Sequence, residues 1–197
     1  MRNHLGVLAL QGDFAAHIAV LAREGYDTVE VRYADQIEDL DGLVIPGGES
    51  TTLLRLFEDA GLTEPLRRFH RRGGAIFGTC AGAILVARRV FNPEQPSLDF
   101  IDLDVERNAY GRQKESFETA DHAPVFGEEP LEMVFIRAPK FVRVGPDVTV
   151  LAARDGEPVM VRQGRVIAAA FHPELSADGR VHRYFGAMAR ERALTAS

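Results

Sequence analysis

The chain has one cysteine, Cys80, and it lies in Gly78-Thr79-Cys80-Ala81-Gly82. An apolar, strand-like run, Ala75–Phe77, precedes this pentapeptide, and a helical stretch, Ala81–Arg89, follows it. A strand–turn–helix junction is the setting of a nucleophile elbow, here with cysteine in the serine position. The sharp turn needs small neighbours, which Gly78 and Gly82 supply. The helix N-terminus aims N–H groups and a partial positive charge at the sulfur, which favours thiolate. Outside such a setting, a lone cysteine reads as a small buried hydrophobe.

A thiolate nucleophile needs a base, and the base needs an orienting group. His172-Pro173-Glu174 follows the strand-like run Val166–Phe171. Residues two apart on an extended chain point the same way, and proline holds its predecessor extended. Glu174 can therefore fix one tautomer of His172 while the other ring nitrogen faces Cys80. The remaining histidines, His4, His17, His70, His122 and His182, lack an adjacent carboxylate at a strand end and read as surface or cap residues. A third piece, Pro46-Gly47-Gly48-Glu49-Ser50-Thr51, also joins a strand to a helix. Its glycines admit close approach to a ligand, and the N–H groups of Gly47 and Gly48, with that of Ala81, suit an oxyanion hole.

The elements that hold these pieces follow from hydrophobic period. Leu5–Leu10 and Leu43–Ile45 are continuous apolar runs, read as strands buried on both faces; Thr28–Arg32 is a β-branched strand. Phe14, Ile18, Leu21 and Ala22 mark a helix capped by Asp13 and closed by Gly25. Ser50 or Thr51 is expected to cap a helix carrying Leu53, Leu54 and Phe57, and Thr63–Arg72 forms another. Beyond Phe91 the pattern alternates. Ile101–Glu106, Met133–Ile136, Val148–Ala152, Val159–Arg162 and Val166–Phe171 read as strands, with a hairpin-like turn at Gln163-Gly164 and a closing helix through Val181, Tyr184, Phe185 and Met188. The expectation is a three-layer α/β fold in one domain, 1–197. It has a mostly parallel, flavodoxin-like sheet, helices on both faces and antiparallel strands added in the second half. Ligands of such sheets bind at the C-terminal strand ends, where all three pieces fall.

Composition narrows the class. The 197 residues are 46% hydrophobic and 26% charged, ordinary values for a globular chain. A net charge of −6 argues against nucleic-acid binding. Arg67, Arg68, Arg71 and Arg72 read as a solvated helix face. One cysteine admits no internal disulfide and fits a reducing compartment. The run Leu5–Leu10 is too short for a signal sequence or a membrane span, so a cytoplasmic protein is expected. No zinc-ligand spacing, dinucleotide fingerprint or P-loop occurs, so no metal and no cofactor is expected.

Gly78–Gly82, Pro46–Gly48 and His172–Glu174 together resemble the class I (triad) glutamine amidotransferases. Val7–Gly12, Pro46–Thr51, Glu106–Gln113, Phe135–Pro139 and Phe171–Leu175 are similar, more closely, to the glutaminase subunits of two-subunit pyridoxal 5′-phosphate synthases. Tyr110 stands where the family pattern has Phe. The resemblance implies hydrolysis of L-glutamine to glutamate and ammonia in vitamin B6 biosynthesis, classed under both hydrolase and lyase. It implies that Cys80 attacks the side-chain amide, His172 passes a proton to ammonia and Glu174 orients His172. It places Gly48 and Ala81 at the oxyanion, and Gly48, Glu49, Ser50, Arg107, Ile136 and Arg137 on glutamine. Either Arg107 or Arg137 suits the α-carboxylate. The implied partner is a synthase subunit, with Gln11 at the interface. Competing readings are an ammonia donor for histidine or cobalamin synthesis, a cysteine peptidase on the same fold, and a non-catalytic interaction subunit.

Overall fold

The computed structural model describes residues 4–107 and 116–195. The expected segment Asn108–Gln113 therefore lies outside the described residues. In the first half, strands and helices alternate as β1 (His4–Leu8), α1 (Phe14–Arg23), β2 (Asp27–Val31), β3 (Gly42–Ile45), α2 (Ser50–Asp59), α3 (Thr63–Arg71), β4 (Ala75–Thr79) and α4 (Ala81–Val86). The second half holds β5 (Ala87–Phe91), β6 (Ile101–Glu106), β7 (Ser116–Asp121), β8 (Leu131–Ile136), β9 (Lys140–Val144), β10 (Thr149–Arg154), β11 (Glu157–Gln163), β12 (Val166–Ala169) and α5 (Arg180–Thr195).

Seven strands form the main sheet in the order β10-β11-β12-β4-β3-β1-β2. From β2 to β12 all pairings are parallel; β11 and β10 then add antiparallel strands at one edge. Helices cover both faces, with α1 packed against α5 and α2 against α4. Burial explains the central strands: every residue of β3, β4 and β12 is buried, which is why their sequences are apolar runs and not alternating patterns. The core is continuous, with Phe57, Phe77, Phe171 and Phe185 among its largest fully buried side chains.

Several local expectations give way to tertiary structure. The helix after Cys80 ends at Val86, and Ala87–Phe91 turns into a strand that pairs, in parallel, with β6. Val90 and Phe91 gain a sheet partner there that a continued helix would not offer. β9 completes this three-stranded sheet, while β7 and β8 form a separate antiparallel ribbon. Asp13 makes no side-chain cap bond to α1. The cap of α2 is neither Ser50 nor Thr51 but Glu49, whose carboxylate accepts from the Thr51 and Thr52 amides. The arginines expected on a solvated face are exposed or half-buried; Arg71 pairs with Glu64, and Arg72, just past α3, donates to the Ile37 carbonyl while lying over Phe69.

Candidate active site

Four strand ends converge on one cleft. Gln11 and Gly12 follow β1, Gly47 and Gly48 follow β3, Cys80 follows β4 and His172 follows β12. All four strands are parallel neighbours in the sheet, so their C-terminal ends share an edge. The cleft holds about 210 Å³. Gly48, Glu49, Ser50, Arg107, Ile136 and Arg137 all line it, together with Cys80 and His172. Asp13, Ile84 and Pro139 line it as well, without having been singled out by spacing. Asp13 carries helix-cap chemistry in sequence, yet it makes no side-chain cap bond and lines the cleft.

The elbow is held in a rare conformation. Cys80 has φ 48° and ψ −104°, a backbone that only a surrounding structure can impose on a non-glycine residue. Its amide donates to the Ala169 carbonyl at 2.9 Å, which ties the turn to β12. Helix α4 then lies hard against β3 and β4. A methyl group on Gly82 would sit 1.9 Å from the Ile45 carbonyl oxygen, and one on Gly78 would sit 2.5 Å from that of Gly82. The two glycines of the pentapeptide are thus dictated by close backbone approach. Gly47 is constrained in the same way, since a Cβ there would meet His172 Cε1 at 2.5 Å.

The side chains beyond the elbow form a line into the interior. Cys80 Sγ donates weakly to the Ile136 carbonyl at 3.8 Å. His172 Nδ1 and Glu174 Oε1 are 2.7 Å apart, and Cys80, His172 and Glu174 are all buried. His172 Nε2 makes no hydrogen bond of good geometry among the described residues. Burial alone would lower the His172 pKa, but the Cys80 sulfur and the Glu174 carboxylate, on opposite sides of the ring, outweigh it and raise the value to about 10. An imidazole of that basicity takes a thiol proton readily once the thiol turns from Ile136. The spacing argument for His172-Pro173-Glu174 thus meets its geometry, although these residues open a short 3-10 turn, Pro173–Leu175, and not an extended strand.

The line does not stop at Glu174. His17 Nε2 lies 3.3 Å from Glu174 Oε2 and 3.2 Å from Thr79 Oγ1, and His17 Nδ1 is 2.9 Å from His182 Nε2. The expectation that His17 and His182 are surface or cap residues is incorrect: both rings are fully buried between α1, α5 and β4. Sequence spacing missed them because the two rings are 165 residues apart and each sits on an otherwise ordinary amphipathic helix. His4 and His122 are exposed as expected, and His70 stacks on Phe100.

The rim is polar. Glu49 accepts from the Thr51 amide and hydroxyl at 3.1 and 2.5 Å, and from the Thr52 amide and hydroxyl both at 2.7 Å. Partial burial works against its ionisation, but these bonds prevail and lower its pKa to about 2. Arg107 Nη2 lies 3.2 Å from the same carboxylate. Arg137, at φ 44°, is exposed in the cleft and makes no ion pair among the described residues. Gln11 is half-buried and donates through Nε2 to the Glu49 carbonyl at 2.7 Å, against the backbone of Gly48.

Residues 7–191 match the SNO glutamine amidotransferase family. The chain belongs to that family. It is 54% identical over 181 residues to the pyridoxal 5′-phosphate synthase subunit PdxT of Pelotomaculum thermopropionicum, covering 92% of each chain. It is 55% identical over 186 residues to the PdxT subunit of Koribacter versatilis, covering 94% of this chain and 95% of that one. A crystal structure of a glutamine amidotransferase superposes with a TM-score of 0.89 at 48% identity, covering 94% of this chain and 98% of the other. These findings correct one expectation. The family is one of glutamine amidotransferases, so the lyase class does not extend to this chain. The cleft agrees, since a thiol beside a basic imidazole suits acyl transfer. Among the described residues, no helix is long and apolar enough to cross a membrane.

Proposed function

We propose that this glutamine amidotransferase is the glutaminase subunit of a pyridoxal 5′-phosphate synthase and works in the cytoplasm through Cys80, His172 and Glu174. The observation that carries the mechanism is the 2.7 Å contact of His172 with Glu174 directly behind the elbow cysteine. Cys80 gives its proton to His172 Nε2 and attacks the side-chain carbonyl carbon of glutamine, forming a C–S bond. The tetrahedral oxyanion sits against the amides of Gly48 and Ala81. His172 returns the proton to the amide nitrogen, the C–N bond breaks and ammonia leaves. Water, deprotonated by His172, then cleaves the thioester to release glutamate and restore the thiol. Glu174 holds the ring in one tautomer and stabilises its charged form.

The lining of the cleft supports a reading of the substrate contacts. Gly48, Glu49, Ser50, Arg107, Ile136 and Arg137 surround the amino-acid end of glutamine. Arg137 is the partner of the α-carboxylate, because its guanidinium makes no ion pair among the described residues whereas that of Arg107 is already held by Glu49. Free ammonia becomes ammonium in neutral water and loses its nucleophilic lone pair, so the synthase subunit must cover this edge during turnover. Gln11 grips the Gly48–Glu49 backbone, and contact at Gln11 passes to the diglycine loop that supplies the oxyanion amide.

The test is glutaminase activity of the purified chain, alone and with the synthase subunit. Low activity alone and a large rise with the synthase is the expected result. High activity that the synthase leaves unchanged overturns the activation step, and no activity in either case overturns the enzyme reading. An ammonia donor for histidine or cobalamin synthesis would fail to respond to this synthase.

A further inference from the structure

The mechanism uses one side of Glu174. The other side faces an enclosed polar line that no step above requires: His17, Thr79 and His182 are all fully buried, on α1, β4 and α5. Two of its atoms lack a well-formed hydrogen bond. Among the described residues, Glu174 Oε2 has no hydrogen bond of good geometry, although His17 Nε2 is 3.3 Å away, and His182 Nδ1 has no partner. Buried polar atoms without partners are uncommon, and an orphaned N–H is rarer than an orphaned acceptor.

These two loose ends select one proton arrangement. A neutral imidazole carries one N–H. If His17 donated from Nδ1 to His182 Nε2, His17 Nε2 would turn a lone pair toward the carboxylate oxygen at 3.3 Å. His182 would then also bury an N–H at Nδ1 with nothing to accept it. The opposite arrangement removes both conflicts. His182 Nε2–H donates to His17 Nδ1 at 2.9 Å, and His17 Nε2–H points between Thr79 Oγ1 and Glu174 Oε2. Only a bare lone pair is left at His182 Nδ1.

We propose that His17 is a positioning residue of the glutaminase: its Nε2–H holds the second carboxylate oxygen of Glu174, and His182 fixes its tautomer from behind. Through Glu174 the line sets the orientation and charge of His172 without touching substrate. The surroundings keep both rings neutral. The groups facing His17 are His182 from α5, Thr79 and the edge of Phe77 from β4, and Glu174 and His172 from the turn after β12. Burial, then His182 and His172, push the His17 pKa well below 6.5; burial and then Arg23 push that of His182 down to about 3.

The inference rests on the glutaminase reading, and its test separates the two. Nitrogen-15 NMR of the histidine rings in the unmodified chain reads protonation directly and needs no activity. The expected result is a proton on Nε2 of both His17 and His182, with both rings neutral at pH 7. A proton on His17 Nδ1, or a charged His17, overturns the proposal whatever the enzyme does. Kinetics with the synthase present then test the consequence. His17→Leu should lower kcat by about tenfold to a hundredfold, the scale of losing a hydrogen bond to a buried charged group. The glutamine KM should stay within about twofold, because no substrate contact is lost. The His172 limb of the pH profile should move to lower pH, since a Glu174 carboxylate no longer held in place makes a poorer hydrogen bond to His172, and that bond helps to raise the His172 pKa. His17→Gln, whose amide nitrogen replaces Nε2, should recover more kcat than His17→Asn. Equal loss in both, or an unmoved pH profile in a folded His17→Leu protein, overturns the positioning role. Loss of wild-type activity altogether would instead count against the glutaminase reading and leave the NMR result standing.

Discussion

Two imidazoles flank one carboxylate, and they behave in opposite ways. On the cleft side, His172 stands between the Cys80 sulfur and the Glu174 carboxylate, and its pKa rises to about 10. On the interior side, His17 touches the same Glu174 side chain, yet its pKa falls well below 6.5. Both rings are buried, so desolvation presses equally in sign on each. The difference is company. His172 faces a sulfur as well as the carboxylate, whereas His17 faces a second histidine and a hydroxyl. One carboxylate can raise one ring into a base and still leave another neutral, because a hydrogen-bonded network divides charge according to what stands at its far ends.

The largest effect that breaks this contrast is removal of the group at the cleft end. Cys80→Ala should reduce glutamine hydrolysis by many orders of magnitude, on the order of 10⁶ as for other covalent nucleophiles, without unfolding the chain. Retention of more than a few per cent of activity, measured with the synthase present, would mean the nucleophile lies elsewhere. Next in size is Glu174→Gln, which keeps the shape but removes the charge shared by both rings. A fall in kcat on the order of 10⁴ is expected by analogy with neutralised triad acids, together with a drop in the His172 pKa. Full activity would remove Glu174 from the orienting role, and His172→Asn should be worse than Glu174→Gln because the proton carrier itself is gone.

Stability against pH sharpens the contrast at the interior end. His17 and His182 titrate lower in the folded chain than in the unfolded one, so the unfolded state binds more protons as pH falls. Their contribution is present above about pH 6.5 and is lost progressively toward pH 3. His172 has the opposite sign: its contribution is present below about pH 6.5 and is lost as pH rises through 10. Urea unfolding of the wild-type chain and of His182→Phe should therefore diverge in shape on the acid side only. Parallel curves would show that His182 is not held neutral.

Smaller effects belong to the rim. Arg137→Ala should raise the KM for glutamine with little change in kcat, and by more than Arg107→Ala does; the reverse order would give the α-carboxylate to Arg107. Glu49→Ala should cost about 1 kcal/mol of stability, the scale of a lost helix cap, measured by denaturant titration.

Much of this was legible in order along the chain. The elbow pentapeptide, the His-Pro-Glu tripeptide and the diglycine loop each carry their chemistry within a few residues, and each follows a strand buried enough to read as an apolar run. Local legibility fails where a partner far away in sequence decides. Ala87–Phe91 reads as the end of a helix until β6 offers it backbone partners. Asp13 and Ser50 or Thr51 read as caps, but Asp13 lines the cleft, and the carboxylate of Glu49 reaches the α2 amides first.

The sequence by itself determined which atoms can react: one thiol, one imidazole with a carboxylate two residues on, and glycines where backbones must nearly touch. It also marked the sheet's central strands as a parallel set, because strands buried on both faces read as apolar runs without polar alternation. Only tertiary structure decided that the Ile136 carbonyl meets Cys80, that Arg107 pairs with Glu49, and that His17 and His182 stand behind Glu174. Those pairings join residues dozens to more than a hundred positions apart. A single histidine on an amphipathic helix has the same local pattern whether it ends in water or against a buried carboxylate. The fold settles which, because a buried polar atom must find a partner wherever packing has placed one.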